Sequence, residues 1–155
     1  MSLYLALKTI HILSSTLIFG TGIGSVYYLW SAHRARDLPA LRLTTRAVVL
    51  ADWLFTTPAI VIQPVTGAWL MLLLGYRFDS AWFAWVAALY LVAGACWIPV
   101  VVVQYRLRGY AAAAAAWEAL PRDYYQLMRW WVVLGVGAFA AVLGLFALMV
   151  FRPGL

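Results

Sequence analysis

Two histidines, one cysteine and five carboxylates are the conventional reactive groups of this 155-residue chain, and they are scattered along it. No nucleophile pairs with a general base and no zinc-type ligand cluster exists, so hydrolase and metalloprotease chemistry are poor readings. The residues that could do chemistry are ionisable side chains set in apolar sequence, because a charge inside a membrane is costly and is a functional candidate by default. They are Lys8, His11, Asp52 and Arg129. Lys8 lies three residues before His11, hence on the same helix face. A neutral imidazole in an apolar bundle is either hydrogen-bonded across helices or bound to a metal. For such a site b-type haem is the commonest large apolar cofactor.

The elements that must position these groups follow from composition. A content of 66% hydrophobic and 10% charged residues lies far outside the range of soluble domains, and a lipid bilayer must cover the surplus apolar surface. A spanning helix needs about 20 mostly apolar residues. Four segments qualify: Leu3–Trp30, Val48–Leu74, Ala81–Tyr105 and Tyr124–Phe151. The expected fold is therefore all-α, a single domain forming a four-transmembrane-helix bundle. Ser31–Arg46 and Arg106–Asp123 read as connections, and Gly75–Ser80 as a tight turn in which Asp79 or Ser80 caps the next helix. The alanine run within Tyr110–Leu120 predicts a short interfacial helix between spans three and four, stopped at Pro121, with Tyr110 and Trp117 at headgroup level.

The net charge of +6 comes from arginines clustered between the spans rather than on one face, which speaks against a nucleic-acid partner. By the positive-inside rule the first and third connections are cytoplasmic, and both termini are exterior or periplasmic. The first apolar stretch is too long for a signal-peptide core and is expected to stay in the mature protein. Cys96 reads as packing, and His33 as a solvated residue in a basic loop.

Depth then separates the candidates. At 1.5 Å per residue, His11 lies about 9 Å to the exterior side of its span's midpoint, whereas Asp52 and Arg129 each lie about 13 Å to the cytoplasmic side. An Asp52–Arg129 ion pair between spans two and four is expected. His11 is the expected metal ligand, with Met71 or Met149 as a second axial ligand of matching depth, or else a five-coordinate or water-bound iron. Lys8, Arg77 and Arg152 lie near the exterior boundary, where they could meet haem propionates. Trp69, Tyr90 and Trp97 could wall a porphyrin or quinone pocket. Gly20 with Gly24, Gly137 with Ala141, and Ala140 with Gly144 read as faces of close helix approach. Gln63 and Gln104 need partners. Pro58, Pro64 and Pro99 bend spans or shape a cavity.

The first helix, LKTIHILSSTLIFGTG, resembles the Lys-x-x-His-Ile-x-Ser opening of an uncharacterised family of bacterial four-helix integral membrane proteins. More distantly, it is similar to HemJ-type protoporphyrinogen oxidases and to CopD-like membrane domains. The resemblance includes Lys8, His11, Pro58, Gly67, Arg129 and the Arg152–Pro153 ending. It implies the bacterial inner membrane and, from the HemJ group, haem at His11. The segments GSVYYLW and SAWFAWVAALY depart from the HemJ pattern, so protoporphyrinogen oxidation does not transfer. The resulting expectation is a haem b redox protein, an oxidoreductase or electron-transfer subunit, working with a quinone or respiratory partner. The alternatives are a non-enzymatic membrane scaffold, or a solute or metal transporter built as a homo-oligomer.

Overall fold

The computed structural model describes residues 2–152, and every described element is helical. Helix α1 (Leu3–Ala35) is followed by α2 (Leu38–Ala51), which runs through a π-helical turn (Asp52–Thr56) into α3 (Thr57–Leu74). Helix α4 (Ala81–Ala113), one 3-10 turn (Trp117–Ala119) and α5 (Arg122–Phe151) complete the chain. Four helices, with Leu38–Leu74 counted as one, are long and apolar enough to cross a membrane. Their large side chains point outward, among them Leu72, Leu91, Ile98 and Val136, each more than 60% exposed, as a bilayer solvent requires.

Two connections differ from the expectation. Ser31–Arg46 is not a loop. α1 continues to Ala35 and ends on Arg36 in the left-handed region, and Asp37 then caps α2 by accepting from the Ala40 amide. Pro39 in the first turn of α2 suits that restart, because its missing N–H falls where no helical partner exists. At 33 residues α1 is about 50 Å long, well beyond the roughly 30 Å apolar core of a bilayer. The drop in hydropathy marked the edge of the apolar span rather than the end of the helix.

The interfacial helix is likewise replaced. The alanines prolong α4 to Ala113, since extending an existing helix avoids the nucleation cost of a new one. Arg42 of α2 then satisfies the orphan carbonyls at that end, donating from Nε to Ala111 O (2.9 Å) and from Nη2 to Ala114 O (2.5 Å). Trp117 is buried in the core rather than placed at a headgroup layer.

The core sits at the Arg-rich end. Leu29, Leu41, Leu107, Tyr124, Met128 and Trp131 are each at most 2% exposed and belong to one cluster joining α1, α2, α4 and α5. Tyr124 and Trp131 are thus core residues. His33 is also drawn in, 2.9 Å from the Tyr124 hydroxyl and beside the rings of Trp30 and Trp117. At the opposite end Gly75, with φ of 70°, closes α3 while Tyr76 N–H bonds Met71 O (2.9 Å), and Ser80, not Asp79, caps α4.

Small residues divide as well. A Cβ on Gly137 would meet Cys96 Sγ at 3.3 Å and one on Gly144 would meet Leu89 Cδ1 at 2.9 Å, so α5 does approach α4 closely. Gly20 and Gly24 have open space, so that face makes no close helix contact among the described residues.

Candidate functional site

His11 lies on the α1–α3 interface, and α3 meets it with three successive features. Gln63 Nε2 donates to the His11 carbonyl (3.0 Å), and Thr66 Oγ1 stands 2.8 Å from Nδ1. Gly67 lets the ring pack on the backbone, for a Cβ there would sit 3.2 Å from Cε1. The Thr66 hydroxyl has one proton and lies 2.7 Å from Ile62 O, an atom that can only accept. With that proton committed, Nδ1 must carry the hydrogen and donate to Thr66. Nε2 is left with its lone pair and has no protein partner among the described residues. Anchoring one ring nitrogen by a hydrogen bond so that the other can ligate is the usual arrangement around metal-bound histidines.

The other expected residues fall unevenly around His11. Met71 is buried, one turn beyond Gly67 on α3. Met149 is half-buried on α5, and its carbonyl accepts from Arg152 Nε (3.3 Å). Lys8 is exposed, with Nζ 5.6 Å from the centroid of the Tyr4 ring.

Arg77 and Arg152 share the rim of an open cavity of about 800 Å³ at the end of the bundle bearing the α3–α4 turn, lined also by Tyr76, Ser80 and Phe151. Arg77 is engaged there, its Nε and Nη2 both donating to the Asp79 carboxylate. The guanidinium holds the Asp79 carboxyl below its ordinary range, and the carboxylate raises Arg77 in turn. Arg152 bonds the Tyr76 hydroxyl (3.0 Å).

Of the aromatic wall candidates, Trp69 is exposed and Tyr90 ties α4 to α3 through Ile60 O (2.5 Å). Trp97 keeps a buried Nε1 without an acceptor.

The Asp52–Arg129 ion pair does not form. Arg129 is exposed on α5, which packs chiefly on α4, whereas the π turn bearing Asp52 packs against α1 and its own flanking helices. Among the described residues the salt bridge is Arg77–Asp79. Depth was matched, but the two side chains face different neighbours. Asp52 is instead buried, its Oδ1 accepting from Thr56 Oγ1 (2.8 Å), with Gln104 of α4 beside the carboxyl.

Thr66 was missed in the sequence, although a signal existed. It lies about 7–8 Å from the second span's midpoint, toward the end that bears the α3–α4 turn, by the same arithmetic that placed His11, and a hydroxyl in an apolar helix needs a partner. Thr56, one turn after Asp52, was available by the same spacing rule.

The chain matches, over residues 5–153, a family described as predicted integral membrane proteins, DUF2269. It belongs to that family. No curated protein matches the chain, and no solved structure does. The distant likeness to HemJ-type oxidases and CopD-like domains finds no support in these comparisons.

Proposed function

We propose that this family member is a membrane redox module that holds one b-type haem through His11 Nε2. It would exchange electrons with a quinone or respiratory partner in a bacterial inner membrane, with both termini on the exterior side. One observation carries the reading: Nδ1 of His11 is hydrogen-bonded to Thr66, whose own hydroxyl proton is directed to Ile62 O, so Nε2 of a fixed imidazole keeps an uncommitted lone pair. The donor set suits this group. No cluster of three or more His, Cys, Asp or Glu side chains occurs among the described residues, as a bare ion of the zinc type would need. A porphyrin brings four nitrogens of its own and asks the protein for axial ligands only.

Bound there, haem b supplies one-electron chemistry. The chain's own residues do the rest. Thr66 and Gly67 fix the ring of His11, Gln63 fixes its backbone, and Met71 and Met149 are the thioethers offered as a second ligand. With Arg77 engaged by Asp79, Lys8 and Arg152 are the cations left to meet propionates.

The test is the absorption spectrum of protein purified from haem-replete cells. A Soret band is expected in the wild type and should be lost in His11→Ala; a colourless wild type would sink the reading. A second reading, a structural subunit without a cofactor, is favoured by the Gln63 and Thr66 bonds, which already make His11 a staple between α1 and α3. Under it, His11→Ala loses about 1 kcal/mol of stability with no spectral change.

A further inference from the structure

Among the described residues, the π turn between α2 and α3 holds the only carboxylate set within a membrane-spanning segment away from its ends, and the surroundings of that carboxylate do not balance. Asp52 Oδ1 accepts from Thr56 Oγ1, but Oδ2 is buried with no donor. Gln104, 4% exposed on α4 and beside the Asp52 carboxyl, has a buried Oε1 that also lacks a donor. Two buried acceptors thus lack a donor, and the groups that hydrogen-bond the carboxyl, the Thr56 hydroxyl and the Gln104 amide, are both neutral.

Among the described residues no cation compensates. Arg46 on α2, Arg106 and Arg108 on α4, and Arg129 on α5 are all exposed. α1 has no Lys, Arg, Asp or Glu between Lys8 and Arg34, and α3 has none at all. Tyr105, the nearest titratable group along α4, accepts from Trp53 Nε1 at 2.6 Å. A formal negative charge in such a place is not sustained alone.

The backbone adds to the imbalance. The Thr57 amide reaches back to Asp52 O in the π pattern, and Pro58 has no N–H to give, so the turn loses a donor. The side-chain acceptors gathered here, a carboxylate, an amide carbonyl and a hydroxyl, are all hard oxygens. Such a set suits a proton or an alkali cation and not a soft metal. A single carboxylate balances a single positive charge.

We propose that Asp52, Gln104 and Thr56 form a buried binding site for one positive centre, a proton or a sodium-sized cation, between the π turn and α4. The site is separate from His11 and does not depend on the haem reading.

The intact protein in nanodiscs at neutral pH tests this with two measurements. If the occupant is a proton, the infrared difference spectrum between wild type and Asp52→Asn shows a carboxylic-acid carbonyl band that the variant loses. If it is a cation, sodium chloride raises the unfolding midpoint above that in choline chloride at equal ionic strength, and Asp52→Asn abolishes the difference. An ionised Asp52 together with no sodium effect would overturn the proposal. Asp52→Asn is expected to fold, since its amide supplies the missing N–H without charge. Should it not fold, Gln104→Leu serves instead: it removes one acceptor, so the acid band must shift to higher frequency or the sodium effect must shrink. A wild-type-like result from Gln104→Leu would equally overturn the site.

Discussion

The two ends of the bundle are built on different principles. At the Arg-rich end α1, α2, α4 and α5 meet around a continuous core that includes Leu41, Leu107 and Tyr124, each fully buried, and Arg42 straps α2 to the last turn of α4. At the other end burial is scattered over single residues such as Leu7, Met71 and Trp82, and polar contacts do the joining: His11 with Gln63 and Thr66, Tyr90 with Ile60, Arg152 with Tyr76. The first end resembles a soluble core, where packing and exclusion of water supply the stability. The second relies on lipid to cover its faces, and hydrogen bonds between helices are worth less there, averaging about 0.6 kcal/mol in membranes.

Truncating the core should separate the two ends most sharply. Leu107→Ala is expected to cost about 2–5 kcal/mol, whereas Leu5→Ala, on an exposed position near the other end, should stay within about 0.5 kcal/mol. Equal losses in denaturant unfolding of detergent-solubilised protein would break the contrast. Next in size is Arg42→Met, which removes two charge-assisted bonds to helix-end carbonyls and should cost about 1.5–3 kcal/mol. Hydrogen exchange should then quicken at the C-terminal turn of α4 while the α1–α3 interface is unaffected.

A smaller loss, about 0.5–1.5 kcal/mol, is expected for Thr66→Val, which removes the partner of Nδ1 without changing shape. If His11 holds haem, the same variant also shifts the reduction potential, a readout that loss of stability alone does not produce.

The smallest effect lies in the α3–α4 turn. Asp79 is held below its ordinary range by Arg77, so its stabilising contribution is complete above the unfolded carboxylate value and is lost as pH falls through the lowered folded value. Both groups are exposed, so only a slight acid slope of the unfolding midpoint below about pH 4 should arise from this pair. Arg77→Gln should flatten it.

Much of this was legible in the residues. Four apolar segments of spanning length announced a four-helix membrane fold, Ser80 was a foreseeable cap, and the small-residue spacing at Gly137 and Gly144 does coincide with close helix approach. The helices that outrun the bilayer were not legible, because hydropathy reports the solvent along an axis and not the hydrogen bonding. SAHRARDLPALRLTTR reads as a polar loop, yet it contains the end of α1 and most of α2 around a turn at Arg36–Asp37.

Asp52 shows the boundary best. Rise per residue put Asp52 and Arg129 at one depth, and opposite charges suggested a pair; in the fold α5 lies on α4, Arg129 faces outward, and Asp52 meets Thr56 and Gln104. The same rise put His11 and Thr66 level, and there the helices that carry them do pack together. The sequence by itself therefore determined the lipid-facing four-span class and the height of each polar group, because both depend on position along one helix. Which groups touch at a given height was decided only by the tertiary structure, because it depends on how each helix is rotated about its axis and on which neighbour it packs against.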